Sequence, residues 1–259
     1  MTLDYFQVDA FADRVFTGNP AGVVPLKRWL PVNVLQSLAM ENGHAETAFF
    51  VPRGDGFNLR WFTPKLEVDL CGHATLAAAH VLWTHLEYKG DTIRFETQSG
   101  PLFVTRENGR ILLDFPSIPP QPADAFPALV EALGAKPFQV WRTNNYLAVF
   151  RREEDLRALA PDFAKLGRID CHGVIATAPG KSVDFVSRFF APRAGIDEDQ
   201  VTGSAHCTLT PYWSKRLGKP RLRAEQLSAR GGRLWCEVVG ERVKIAGHAI
   251  TYLRGQVEI

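Results

Sequence analysis

Three side chains have the type and setting that proton transfer needs. Glu46 heads the apolar run Thr47-Ala48-Phe49-Phe50-Val51, two positions after His44. A carboxylate pressed against apolar surface holds its proton more tightly, which suits a general acid or base near neutrality. The same pattern also fits a solvated strand end. His73, in Cys71-Gly72-His73, stands where a long small-residue segment begins and can donate, accept or orient a proton there. Asp199 closes Asp197-Glu198-Asp199 just before Gly203. Those three acids also fit the charge pattern of a helix N-terminus. Gly72 and Gly203 each open an expected helix, whose unpaired N–H groups and positive dipole end favour an anion. Glycine admits a ligand close to the backbone, and Thr202 and Ser204 add hydroxyl donors. Two such starts suit a small molecule bearing a carboxylate, although ordinary caps and tight turns share these features.

Other chemistries lack their signatures. Cys71 and His73, even with His206 or Cys207, match no compact zinc spacing, so no metal is expected. Gly54-Asp55-Gly56 lacks the third glycine of a dinucleotide loop, and there is no GxxxxGK[ST], HExxH or GxSxG. No cofactor is expected, which leaves proton transfer by side chains.

The elements that must carry these residues alternate strands with helices. The run Leu3–Phe11 reads as a strand and Gly18-Asn19-Pro20-Ala21-Gly22 as a turn. Helical periodicity over Leu30–Met40 ends at Asn42-Gly43. Strands are expected at Glu46–Val51 and Phe57–Thr63, and a largely buried helix at Ala74–Leu86. Strands fill Thr92–Phe115, and Pro116, Pro119, Pro120 and Pro122 mark a linker. Beyond it, helices are expected at Ala125–Leu133, around Glu154–Ala160, and at His206–Leu217 with a bend or restart at Pro211. Strands are expected near Phe138–Val149, at Val174–Ala178 and Val183–Phe190, and at Leu234–Val239 and Val243–Leu253 to close.

The chain of 259 residues is 46% hydrophobic and 22% charged, with 30 Lys and Arg against 28 Asp and Glu. That supports one large core or two domains and excludes a disordered or strongly basic chain. The basic cluster Lys215, Arg216, Lys219, Arg221 and Arg223 reads as a solvated helix end or loop, so no nucleic-acid partner is expected. Four scattered cysteines and an acidic start without a signal pattern fit a reducing, cytoplasmic setting. No apolar stretch is long enough to span a membrane.

The halves repeat. Arg60-Trp61-Phe62-Thr63-Pro64 is echoed by Arg188-Phe189-Phe190-Ala191-Pro192, and Gly72-His73-Ala74 by Gly203-Ser204-Ala205. A duplicated unit places its two helix starts at related positions, able to open onto one cleft.

The sequence resembles the phenazine-biosynthesis PhzF-like family, which shares the diaminopimelate epimerase fold. The matching blocks include Val8-Asp9-Ala10-Phe11, Phe16-Thr17-Gly18-Asn19-Pro20-Ala21-Gly22, Glu46-Thr47-Ala48-Phe49 and Arg60–Pro64. Leu70-Cys71-Gly72-His73-Ala74-Thr75, Asp199-Gln200-Val201-Thr202-Gly203-Ser204-Ala205, Val104–Gly109 and Ile245–Gly255 carry it across the chain. The resemblance implies an α/β (α+β) fold of two pseudo-symmetric domains, each a curled, mostly antiparallel sheet around a central helix. It places residues 1–117 plus about 246–259 in the first lobe and 118–245 in the second, with the site in the cleft between them. A homodimer is implied as well.

In the family's type activity a glutamate shuttles a proton while a cyclic dihydroxy-amino acid isomerises. Glu46 matches that glutamate, and His73 and Asp199 match its accompanying residues. Gly203 and Ser204 match its substrate-binding turn, with Asn19, Cys71, Gly72 and Thr202 as further substrate-binding positions. The expected activity is a cofactor-independent isomerase that moves a proton between carbons of a small carboxylate, Glu46 acting as base and then acid. Racemases of this fold use two opposed cysteines. Here Thr202 stands opposite Cys71 in the repeat, so a racemase would need another base. An inactive small-acid-binding scaffold is the third reading. Gln200 replaces the proline common in the family's motif, which bears on substrate specificity.

Overall fold

The opening run folds as strand Thr2–Ala10, antiparallel both to Asn19–Pro25 and to the C-terminal strand Ala249–Glu258. The computed structural model describes all 259 residues. Its contacts divide the chain into two units, Met1–Asp114 with Ala246–Ile259, and Phe115–Ile245. No helix is long and apolar enough to cross a membrane.

In the first unit Asn19–Pro25 runs parallel to Glu46–Arg53, which pairs antiparallel with Gly56–Phe62. Gly56–Phe62 then runs parallel to Thr92–Thr97, and Gly100–Glu107 and Arg110–Pro116 follow as antiparallel neighbours. The helix Gly72–Thr84 packs against Asn19–Pro25 and Glu46–Arg53. Its small and apolar residues Ala74 to Ala79, Val81 and Leu82 are buried, as a helix that is apolar all round must be. Leucines such as Leu76 and Leu82, each worth ~1.5–3 kcal/mol of burial, hold it there. A second helix, Val32–Asn42, packs Leu35, Leu38 and Ala39 against Val24, Phe49 and Phe62.

The second unit repeats this order. Gln139–Arg142 is antiparallel to Tyr146–Val149, which is parallel to Val174–Pro179, which is antiparallel to Phe185–Ala191. Phe185–Ala191 is parallel to Arg221–Gln226, and Gly232–Val239 closes antiparallel to it. The helix Gly203–Leu217 takes the place of Gly72–Thr84. The sequence repeat extends to an ion pair: Arg60 gives two bonds to Glu67 at 2.7 and 2.6 Å, and Arg188 two to Glu198 at 2.7 and 2.9 Å. Each guanidinium also lies over the next aromatic ring but one, Phe62 or Phe190.

Several local expectations change. The turn ends at Gly18 and Asn19 already belongs to a strand. The helix expected from Leu30 begins at Val32, with Pro31 just outside it. The helix Gly203–Leu217 passes through Pro211 in one piece. Proline cannot donate to the Cys207 carbonyl one turn back, and the Ile118 N–H fills that acceptor at 3.0 Å. Asp197, Glu198 and Asp199 sit on the strand Ile196–Asp199 and not at a helix start, because Glu198 is held by Arg188. Arg221 and Arg223 lie on a strand, while Lys219 pairs with Asp184 and Arg221 with Glu237. The closing run breaks at His248, whose carbonyl takes the Ala12 N–H at 3.1 Å.

Candidate active site

Glu46 is the first residue of its strand, level with Ala21 on the parallel neighbour. Gly43, at φ 66°, ends the preceding helix in the left-handed conformation and turns the chain back toward it. Asn42 then ties the two elements by donating from Nδ2 to Thr47 Oγ1 at 3.2 Å. Asn19 starts the adjacent strand after a tight loop. In that loop Phe11 and Phe16 hold positive φ of 57° and 69°, costly for bulky residues. The buried Asp9 carboxylate fixes the loop by accepting the Phe16 N–H at 2.9 Å. The opposite wall is the start of Gly72–Thr84. Cys71 caps it in extended conformation, and Thr75 Oγ1 donates back to the Cys71 carbonyl at 2.5 Å.

These elements bring Asn19, Glu46, Cys71 and His73 together. His73 Nδ1 lies 3.3 Å from Asn19 Nδ2 and 3.5 Å from Cys71 Sγ. Its Nε2 lies 3.4 Å from Glu46 Oε2, close but without hydrogen-bond alignment. Burial pushes His73 down to about 3, and the neighbouring His44 adds to the effect. The ring is therefore neutral at ordinary pH. The Asn19 amide nitrogen only donates, which makes Nδ1 the acceptor and leaves the ring proton on Nε2, toward Glu46.

Glu46, Cys71 and His73 each offer a metal-ligating atom, all within 4.8 Å of one another. Cys71 approaches Nδ1 whereas Glu46 approaches Nε2. The two lone-pair directions of one imidazole diverge, so a single ion could engage one side of the ring but not both. The same three side chains can exchange protons with one another and with a bound carbon acid.

In the second unit Asp199, Thr202, Gly203 and Ser204 gather at the start of Gly203–Leu217. Thr202 occupies the position that Cys71 holds in the first unit, and its Oγ1 donates to Asp199 Oδ2 at 2.6 Å. His206 Nδ1 donates to the Thr202 carbonyl at 2.8 Å, as Thr75 does to Cys71. Ser204 is exposed on the first turn. Gln200 engages a neighbouring turn: its carbonyl accepts from Ser228 Oγ at 2.8 Å and its Oε1 from the Arg230 N–H at 3.3 Å. Two cavities of this unit, about 640 and 490 Å³, are lined by other residues, Arg142 and Tyr146 in one and Phe138 and Arg151 in the other.

The sequence reading missed Asp9 and Gln226, and weighed His206 only as a metal ligand. Asp9 was detectable as an acid inside an apolar strand. Nothing around Gln226 marks it, because its partners lie more than twenty positions away. Cys207 is buried, as its place inside the helix suggested, and burial pushes its thiol up to about 12.

Comparison with known proteins identifies the family. The family model for phenazine biosynthesis-like protein (PhzC-PhzF) matches residues 8–255. An uncharacterized isomerase of Pseudomonas aeruginosa is 52% identical over 259 residues, covering 100% of both chains. The crystal structure of a PhzF family phenazine biosynthesis protein from Enterococcus faecalis superposes with a TM-score of 0.98 at 47% identity, again over 100% of both chains. A putative PhzC/PhzF protein from Clostridium difficile gives 0.95 at 43% identity, over 99% of this chain and 100% of that one. With a proton-transfer cluster of Glu46, Cys71 and His73 on this two-unit fold, the chain belongs to the phenazine biosynthesis-like PhzC/PhzF family and is an isomerase.

Proposed function

We propose that Glu46 is the general base and acid of this isomerase, taking a proton from one carbon of a small carboxylate-bearing substrate and returning it to another. The observation that carries this reading is the 3.4 Å approach of His73 Nε2 to Glu46 Oε2 in a nearly buried setting. A neutral imidazole with its proton on Nε2 stands beside the carboxylate and can tighten onto it when substrate binds, orienting it without neutralising it. The carbon acid beside a carboxylate or π-system develops charge as its proton leaves, and fixed donors stabilise it there. Gly72 and Gly203 each stand at a helix start, whose N–H groups suit an acid group. Asp199, Thr202 and Ser204 are assigned by the same family resemblance to orienting and binding substrate.

Two-thiol racemisation is disfavoured. The position equivalent to Cys71 is Thr202, whose hydroxyl proton is already given to Asp199 and is far less acidic than a thiol. The test is a screen of small unsaturated and cyclic carboxylic acids with the wild-type protein in D₂O, followed by NMR. At least one acid gains deuterium at a carbon next to its carboxylate or double bond and yields an isomer. Tight binders that never exchange a C–H proton would instead make the protein a small-acid-binding scaffold.

A further inference from the structure

The loop that carries Asp199 is gripped from outside by the turn joining Arg221–Gln226 to Gly232–Val239. Gln226, the last residue of its strand, is fully buried. Its Oε1 accepts the Thr202 N–H at 2.8 Å. Its Nε2 donates to the Asp199 carbonyl at 2.8 Å and to Thr202 Oγ1 at 3.1 Å. One acceptor lone pair and both amide hydrogens are thus engaged on a single loop. The amide cannot be flipped, because its oxygen would then face the Asp199 carbonyl oxygen.

Proton counting fixes the direction of this network. Thr202 Oγ1 has one hydrogen and receives one from Gln226. Its own hydrogen therefore goes to Asp199 Oδ2, 2.6 Å away. A buried amide orients a hydroxyl, and the hydroxyl orients a carboxylate. The same turn adds two further ties, from Ser228 Oγ to the Gln200 carbonyl and from the Arg230 N–H to Gln200 Oε1. Gln200 stands where the family's motif commonly has a proline, so here hydrogen bonds to the turn hold a backbone that lacks the ring constraint.

We infer that Gln226 is a positioning residue for the isomerase site, setting the Thr202 hydroxyl and through it the Asp199 carboxylate, with the 226–231 turn as its anchor. The inference rests on the reading that Asp199 serves the substrate. The network itself can be tested without that reading. A single amide at the strand end reaches both the backbone and the side chain of the loop, so its loss acts on the carboxylate rather than on the core. Strand pairing of Phe185–Ala191 with Arg221–Gln226 runs through backbone groups and does not need this side chain.

The experiment compares wild type with Gln226→Glu and Gln226→Met by NMR at pH 7. Glutamate keeps shape and the acceptor for Thr202 N–H but loses both donors; methionine keeps volume and loses all three bonds. In wild type the Thr202 hydroxyl proton exchanges slowly and is seen next to the Asp199 side chain. Both variants lose that signal and shift the Asp199 carboxylate carbon, while amides of Val174–Pro179 keep their positions. The Thr202 amide exchanges about tenfold faster in Gln226→Met, the worth of one ordinary hydrogen bond, and stays protected in Gln226→Glu. An Asp199 carbon resonance unmoved in both variants would overturn the positioning role. If the network responds as described and Asp199→Asn leaves substrate exchange intact, the role given to Asp199 fails and the network stands.

Discussion

His73 Nε2 lies 3.4 Å from Glu46 Oε2 while the other ring nitrogen of His73 lies 3.3 Å from Asn19 Nδ2. The ring is thereby held between an amide donor and a carboxylate. It is neutral, pushed down to about 3 chiefly by burial. Nitrogen-15 spectra are expected to show His73 as the Nε2–H tautomer, without charging, between about pH 5 and 8. Asn19→Leu, which removes the donor to Nδ1, is expected to mix the tautomers.

Gly18 sets the placement of Asn19. Its φ is +69°, and a Cβ there would fall 2.2 Å from the Ala10 carbonyl oxygen and 2.8 Å from Ala12 Cβ. Gly18→Ala must therefore move backbone, and it is expected to cost ~2–4 kcal/mol in urea denaturation. The same variant should broaden the His73 tautomer signal.

Buried histidines make stability depend on pH. His206 and His80 are each pushed down to about 4, His206 by burial and His80 by burial with His85 beside it. The unfolded chain, with histidine at 6.5, binds protons that the folded chain refuses. Their contribution is full above pH 6.5 and is lost as pH falls toward 4. The urea midpoint should begin to fall at the upper end of this window, above the range where carboxylates titrate. His206→Asn, whose amide can replace the Nδ1 donor to Thr202, should flatten the slope.

The two arginines of the repeat are expected to differ in weight. Arg60 answers Glu67 and lies over Trp29 and Phe62. Arg188 answers Glu198 and also donates to the Leu156 and Leu159 carbonyls at 3.3 and 2.7 Å. Arg188→Met strands a partly buried carboxylate and two carbonyls and should cost ~2–4 kcal/mol, more than Arg60→Met, by urea midpoints.

How much was legible in the sequence follows from where each signal lies. The repeat Arg60–Pro64 and Arg188–Pro192 carried the duplicated architecture, because an arginine, its aromatic neighbours and a proline recur at one spacing, whereas the ion-pair partners Glu67 and Glu198 stand seven and ten positions on. Glu46 was visible as a carboxylate at the edge of an apolar run, and His73 as a polar residue opening a buried helix. The unbroken helix at Pro211 was not legible, since the donor that takes the freed carbonyl, Ile118, is remote in sequence. Asp199 was legible as an acid just before the Gly203 helix, but its place on a strand only four residues long was not. Its place depends on Arg188 and Gln226, which local pattern does not announce.

The central claim is that Glu46, not Cys71, moves the proton. The direct measurement is deuterium uptake from D₂O into an exchanging carboxylate substrate by wild type, Glu46→Gln and Cys71→Ala. The account predicts that Glu46→Gln loses about a thousandfold or more of the exchange rate while Cys71→Ala keeps it within about tenfold. Exchange that survives in Glu46→Gln and vanishes in Cys71→Ala would contradict it.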